Sequence, residues 1–380
     1  MSPATIPLLP VGQALAHPST LHTSRVLDRL REVFHELALR EPPPDDPARW
    51  HEHRLAGRTH RFARPLTLTP YASVRPCSAR CRFCSENLRD DLATGPPAAS
   101  LRPGPGYFAH LRAALAALDG VPLSYSLSGL ESTDDPDWLL ALLRTLGEAG
   151  PGPVVEGSVL YTNGAGLAHA GAVLLPALAA SRLFWIEWSR HHDHPAPNQR
   201  IMRFREGQAM AEQGVFERAV GEAARQLPVK MVCVVQRGGI ETAADAGRYA
   251  DWARSLGASA VIFREFSALP ARYRPNATRR YVDDARVAID DLLLACLDDP
   301  HFRRRHAPVA LTGGYYFWNA RWQRRDGFEV VFEKSDYGTL LEQEASGRVY
   351  KLVFHANGNL CAGWQPDRDI LWSATPHGRQ

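Results

Sequence analysis

A chain of 380 residues with 45% hydrophobic content carries ample material for a buried core, and its length suits two or three domains or one large barrel with extensions. Its 44 basic and 41 acidic residues leave a formal charge of only +3 with no basic block, so a nucleic-acid partner is unsupported. The longest weakly polar run, residues 170–180, is too short for a bilayer and is broken by Pro176, and the first ten residues lack a basic segment. No membrane association is expected, and a soluble, cytoplasmic protein is.

The first sixty residues predict one amphipathic helix, with Val26, Leu27, Leu30, Val33, Phe34 and Leu37 on one stripe, ended by the proline cluster at 41–47. From Leu66 onward short β-rich runs alternate with helical segments, the pattern of βα units on a parallel sheet. Six units are expected, with strands at 66–70, 123–127, 158–162, 183–188, 229–236 and 260–266. The helix after the first strand carries Phe108, Leu111, Leu115 and Leu118 on one face. The next has Asp135 as N-cap and Pro136 at its first position. Beyond Ser267 the text changes to a Pro- and Arg-containing stretch, a helix over 283–297, and aromatic strands at 328–332 and 350–355, with Asn357-Gly358 signalling a type I′ hairpin. The organisation expected is an N-terminal helical extension (1–60), an α/β core (61–268) and a C-terminal α+β extension (269–380).

The chemistry is concentrated in Cys77, Cys81 and Cys84, spaced C-x3-C-x2-C after Pro76, which disfavours a helical start and implies a loop. Three thiolates suit an iron-sulfur cube that keeps one iron open for a further ligand. A structural zinc site is the alternative, with a histidine such as His110 as fourth ligand, although such sites usually come as two ligand pairs. A disulfide would leave one cysteine of the three unpaired. Cys233 and Cys296 lie in apolar stretches and read as core. The runs His191-His192-Asp193-His194 and His51-Glu52-His53 invite a metal reading, but solvated loops commonly look like this, as does the basic run Arg303 to His306 at a helix end.

The cysteine triplet, with Phe83 directly before its last member, resembles the cluster motif of the radical S-adenosylmethionine superfamily. Further matches follow at successive strand ends. Ser128-Gly129-Leu130-Glu131 is similar to the Gly-Gly-Glu motif that receives the methionine amino group, with Ser128 in place of the first glycine. Tyr161-Thr162-Asn163-Gly164 resembles a Thr-Asn-Gly motif, and Ser189, followed by Arg190, the serine that contacts the ribose or carboxylate. The stretches around Val234–Glu241 and 261–266 resemble the molybdenum-cofactor cyclase type. The resemblance covers about residues 65–266.

It implies a partial (β/α)6 TIM-type barrel, open on one side, with function at the C-terminal strand ends. It implies one [4Fe-4S] cluster on Cys77, Cys81 and Cys84, and S-adenosylmethionine seated by Phe83, Ser128, Gly129, Glu131, Thr162, Ser189 and Arg190. Reductive cleavage would then give a 5′-deoxyadenosyl radical that abstracts hydrogen from a substrate, with a reductant such as flavodoxin or ferredoxin. The lone Cys361 does not supply the several cysteines that a second cluster needs. Arg237, Arg264, Glu265, His191 and Tyr316 are substrate-side candidates by strand-end position. A small molecule or natural-product intermediate is favoured over a peptide or RNA, and a non-catalytic iron-sulfur or zinc protein, structural or redox-sensing, is the reading from another class.

Overall fold

The computed structural model describes residues 6, 8–15, 19–40, 46, 49–88, 101–271, 273–314, 316–339 and 347–374. Strands β1 (Leu8–Pro10), β2 (Glu36–Leu39) and β3 (Trp50–Leu55) lie in the N-terminal part. The stripe expected as one helix over 26–37 is helical only at Leu27–Val33. Phe34 is extended, and Leu37 and Leu39, two apart and both buried, make a strand that pairs antiparallel with β1. The proline cluster expected to end that helix lies outside the described residues.

Six parallel strands follow in spatial as well as chain order: β4 (Arg58–Tyr71), β5 (Pro122–Leu127), β6 (Val154–Thr162), β7 (Leu183–Ser189), β8 (Val229–Val234) and β9 (Ala260–Arg264). β3 is a hairpin partner of β4. The helix Pro136–Leu146 starts where the sequence places it. The Asp135 side chain accepts from Trp138 N at 3.0 Å, Pro136 fills the first turn, and Leu139, Leu142 and Leu143 are buried. Thr242 and Asp245 cap the helix Ala243–Ser255 reciprocally.

The tail extends both edges of this sheet, and on one side β10 pairs in turn with the N-terminal β2. β10 (His306–Gly313), β11 (Phe317–Arg324) and β12 (Glu329–Ser335) run antiparallel to one another, and β12 pairs parallel with β9. At the other edge β13 (Val349–His355) pairs parallel with β4 and continues antiparallel into β14 (Asn359–Cys361) and β15 (Ile370–Ser373). β12 and β13 do not pair with each other, so the sheet stays open. It is nevertheless curved. Tyr161 of β6 lies within electrostatic reach of Glu333 on β12, although four strand spacings would hold these strands about 19 Å apart in a flat sheet. Tyr337, just past β12, likewise reaches Tyr71 at the end of β4 across the open side. The architecture is the expected partial barrel, with an apolar layer of Val232, Ile262 and Val331 on its inner face.

Two local expectations are corrected. The helix expected over 283–297 is two helices, Ala277–Ala285 and Ile289–Asp298. Between them Arg286 turns back to Glu265 Oε1 at 2.8 Å, while Glu265 Oε2 accepts from Ile289 N at 3.0 Å, so the second helix starts on a buried carboxylate. Asn357-Gly358 does lie in the β13–β14 hairpin, but Gly358 N donates to His355 O at 3.0 Å and Gly358 alone of 356–358 has positive φ (+85°). That is a type I turn followed by a left-handed glycine, not type I′.

Candidate active site at the strand ends

β4 carries the chain to the C-terminal rim of the sheet, where Cys77, Cys81 and Cys84 follow on one irregular loop, half-buried and free of disulfides. The loop is clamped from outside. Arg80 N bonds to the carbonyls of Met202 and Arg203, Arg82 N to that of Ile201, and Arg205 Nε donates to Cys77 O at 2.7 Å. Burial pushes the Cys77 thiol up to about 12 and Cys84 to about 11, and it raises Cys81 as well, which the other two also raise. Cys77 Sγ accepts from Ala79 N at 3.4 Å and from Asn163 Nδ2 at 3.5 Å.

Among the described residues no three His, Cys, Asp or Glu side chains converge on a single metal ion, and His110, the suggested fourth zinc ligand, sits beside Gly106 and Gly358. A four-iron cube takes its thiolates at separate corners. Three free, mutually sensing sulfurs on one loop, one of them already facing N–H donors, fit that donor set.

The ends of β5 and β6 are bolted together beside this loop. Gly129 (φ +122°) and Leu130 (φ +50°) turn the chain sharply after β5. A Cβ at Gly129 would stand 3.4 Å from the Tyr71 ring and 3.5 Å from Ala72 N, so the turn packs directly on the entry to the cysteine loop. Ser128 stays half-buried on the rim. Glu131 is swung inward. Its Oε1 accepts from Thr133 N (3.1 Å), Thr133 Oγ1 (2.7 Å) and Thr162 Oγ1 (2.6 Å), and its Oε2 from Asn163 N (2.5 Å). Burial, with Asp134 nearby, holds its carboxyl up at about 7. Glu131 and Thr162, both expected to face the cofactor, therefore face each other. Successive strand residues point to opposite faces, and it is Tyr161, one position earlier, that joins the electrostatics of the inner face. Gly166 lets the following helix seat on this bolt, since a Cβ there would stand 1.7 Å from Thr133 O.

The same alternation sorts the end of β7. Ser189 shares the inner face with Glu187, whereas Arg190 is turned the other way and fully buried. Its Nη2 donates to Gln213 Oε1 at 2.6 Å, its Nε to His192 O at 3.2 Å, and its guanidinium lies 4.3 Å from the Phe216 ring centroid. Arg190, expected beside Ser189 at the cofactor, thus packs in the helix layer, with its buried Nη1 left without a hydrogen-bond partner among the described residues. His191 Nδ1 accepts from Val234 N at 3.0 Å, which places its proton on Nε2, and burial pushes its pKa down to about 3. Phe83 meets the His191 ring edge-on at 4.9 Å and Phe266 at 5.4 Å. His192 pairs instead with Asp193, which Arg248 also holds, so the histidine run is not a convergent ligand set.

Inside the barrel Arg264 of β9 donates through Nε to Glu333 Oε1 on β12 at 2.5 Å and through Nη2 to Glu187 Oε2 on β7 at 3.4 Å. Lys230 of β8 lies 3.7 Å from the Trp185 ring centroid. Of the other substrate-side candidates, Glu265 is locked in the helix start described above, Arg237 is exposed on a turn, and Tyr316 precedes β11. Glu187, Lys230 and Glu333 were not singled out from sequence, and Asn163 stood only inside the Thr-Asn-Gly match, with no contact to the cysteine loop expected of it. Glu187 stands two residues before Ser189, so strand periodicity alone could have placed it on the same face.

No family model matches the chain, and no curated protein matches it. Among solved structures, Streptococcus suis SuiB bound to S-adenosylmethionine is 15% identical over 79% of this chain and 60% of SuiB, with a TM-score of 0.45. The protein anSMEcpe with bound AdoMet is 13% identical over 52% of this chain and 50% of its own, TM-score 0.38. Coproporphyrinogen III oxidase (HemN) from Escherichia coli, a radical SAM enzyme, is 10% identical over 68% and 66%, TM-score 0.40. The chain spans 60%, 50% and 66% of the length of these three proteins. Likenesses this distant carry no weight for activity, which rests on the chain's own residues.

Proposed function

We propose that the chain is a radical S-adenosylmethionine enzyme in which Cys77, Cys81 and Cys84 hold one [4Fe-4S] cluster at the mouth of the partial barrel. The observation that carries this reading is the placement of three unpaired cysteines on one loop at the C-terminal end of the first core strand, above a charged interior. When bound, such a cluster would offer an open iron to the methionine end of the cofactor and the electron that cleaves its sulfonium to a 5′-deoxyadenosyl radical.

The chain's own residues do the rest. Phe83 and the neutral His191 wall one side of the mouth and keep water from it, and His191 offers a fixed Nε2–H donor. Ser128 and the backbone of the Gly129 turn stand on the rim where a polar cofactor would lie. Ser189 adds a hydroxyl from the inner face. Glu131 and Thr162 act one step back, holding the β5 and β6 ends in register. Arg264 and Glu333, with Glu187, orient a polar substrate inside the barrel, which favours a small molecule carrying charged or hydrogen-bonding groups. An external reductant such as a flavodoxin or ferredoxin would supply the electron. Anaerobic reconstitution with iron and sulfide, then S-adenosylmethionine and dithionite, tests the reading: 5′-deoxyadenosine should form. A cluster-loaded protein that forms none would be a sensor or structural metalloprotein instead.

A further inference from the structure

We propose, building on that cluster assignment, that Asn163 is a positioning residue whose side-chain N–H donates to Cys77 Sγ and thereby sets the potential and retention of the cluster. Every polar atom of Asn163 has a partner. Its backbone N donates to Glu131 Oε2 at 2.5 Å and its carbonyl accepts from the buried Trp188 Nε1 at 3.1 Å. Its Oδ1 accepts from Ala165 N at 2.9 Å and lies 3.3 Å from Ser78 Oγ. Its Nδ2 lies 3.0 Å from Ser78 Oγ and 3.5 Å from Cys77 Sγ.

The amide orientation follows from chemistry. A peptide N–H can only donate, so the side-chain atom facing Ala165 N is the oxygen, and the nitrogen with its two hydrogens faces Cys77. A simple Asn-Gly turn into the helix Ala165–Ala180 needs the Oδ1 contact and the left-handed Gly164 (φ +82°) and nothing more. The contact with sulfur is surplus to the turn. The donor is also held rigidly, since Asn163 is 6% exposed and pinned from three sides by Glu131, Trp188 and Ser78. Asp134 Oδ2 fixes the same loop from below by accepting from Ser78 N at 2.6 Å.

Reduction of an iron-sulfur cluster adds negative charge that spreads onto its sulfurs, so an N–H aimed at a ligating sulfur stabilises the reduced form more than the oxidised one. Removing it should make the cluster harder to reduce and easier to strip. Asn163→Asp keeps an oxygen for Ala165 N but has no hydrogen for Cys77, and Asn163→Ala removes both contacts. In anaerobic redox titrations of the reconstituted protein, both variants should load a cluster whose midpoint moves to more negative values. The expected size is about tenfold in the ratio of reduced to oxidised cluster at a fixed potential, or ~59 mV for one electron. Iron release to a chelator should quicken in both.

A vibrational readout separates Asn163 from Ala79 N, which faces the same sulfur: transfer to D2O should shift the iron-sulfur stretching bands in resonance Raman spectra of the unaltered protein more than those of Asn163→Ala. Unchanged potentials and iron release in both variants, or a D2O shift as large in Asn163→Ala as in the unaltered protein, overturn the inference while leaving cofactor cleavage by the unaltered protein intact. Failure of the unaltered protein to take up iron at all would instead sink the cluster assignment, and this inference with it.

Discussion

Around Cys77 the rim is made of short side chains and one buried carboxylate whose donors close on each other: Ser78, Thr133, Thr162, Asn163 and Glu131. Inside the barrel, by contrast, long charged side chains from strands distant in sequence meet across the sheet, and the second oxygen of Glu333 and the Nη1 of Arg264 have no partner among the described residues. A closed network rigidifies what it holds, while one with open valences has capacity left for a ligand. The first layer therefore sets the position of the cysteine loop and the second is where a substrate would be read.

The comparison is broken most severely by Cys81→Ala. Loss of one of three thiolates should abolish both the brown chromophore and 5′-deoxyadenosine formation, as absorbance and chromatography would record. A variant retaining both would show that the loop is not the metal site.

Within the closed layer, Glu131→Ala strands Thr133 N, Thr162 Oγ1 and Asn163 N without an acceptor. It should cost about 4 kcal/mol of stability in denaturant unfolding. The same carboxyl makes stability depend on pH. Its folded pKa of about 7 lies above the ordinary carboxylate range, so the folded chain holds the proton more tightly than the unfolded one. Its contribution is complete in acid and is lost as pH rises through about 7, by about 3 kcal/mol in all. Glu131→Gln should flatten that slope; an unaltered slope would place its origin elsewhere.

In the open layer, Arg264→Met leaves Glu187 and Glu333 facing each other without their shared cation, at a cost of about 3 kcal/mol. It should leave the cluster's absorbance spectrum unchanged, because Arg264 has no bonded contact with the cysteine loop. A bleached spectrum in a folded Arg264→Met protein would erase the distinction between the layers. The smallest effect belongs to neither: Thr242→Ala, at a helix cap on the outer layer, should cost about 1 kcal/mol and leave the cluster spectrum untouched.

What could be read from sequence divides along similar physical lines. The cysteine loop, the order of the six core strands and the Asp135 cap depend on spacing within a few residues, and each stands where the pattern placed it. Phase was harder to read. A shift of one residue exchanges the faces of a strand, which is why Thr162 and Arg190 are turned away while Tyr161 and Ser189 share the inner face. Pairings such as Glu187 with Arg264 and Glu333 join separate strands and leave no local signature. β2 was hidden because Leu37 fits a helical stripe and a two-residue alternation equally well. Asn163 stood in the Thr-Asn-Gly match without a partner, because its contact with Cys77 exists only once β4 and β6 lie in one sheet.

The electron paramagnetic resonance spectrum of the reduced, reconstituted protein, recorded before and after adding S-adenosylmethionine, tests the central claim most directly. An iron without a protein thiolate should bind the added sulfonium compound and change the signal. A cluster signal that is identical in both samples would mean that no such iron is open, and would contradict the account.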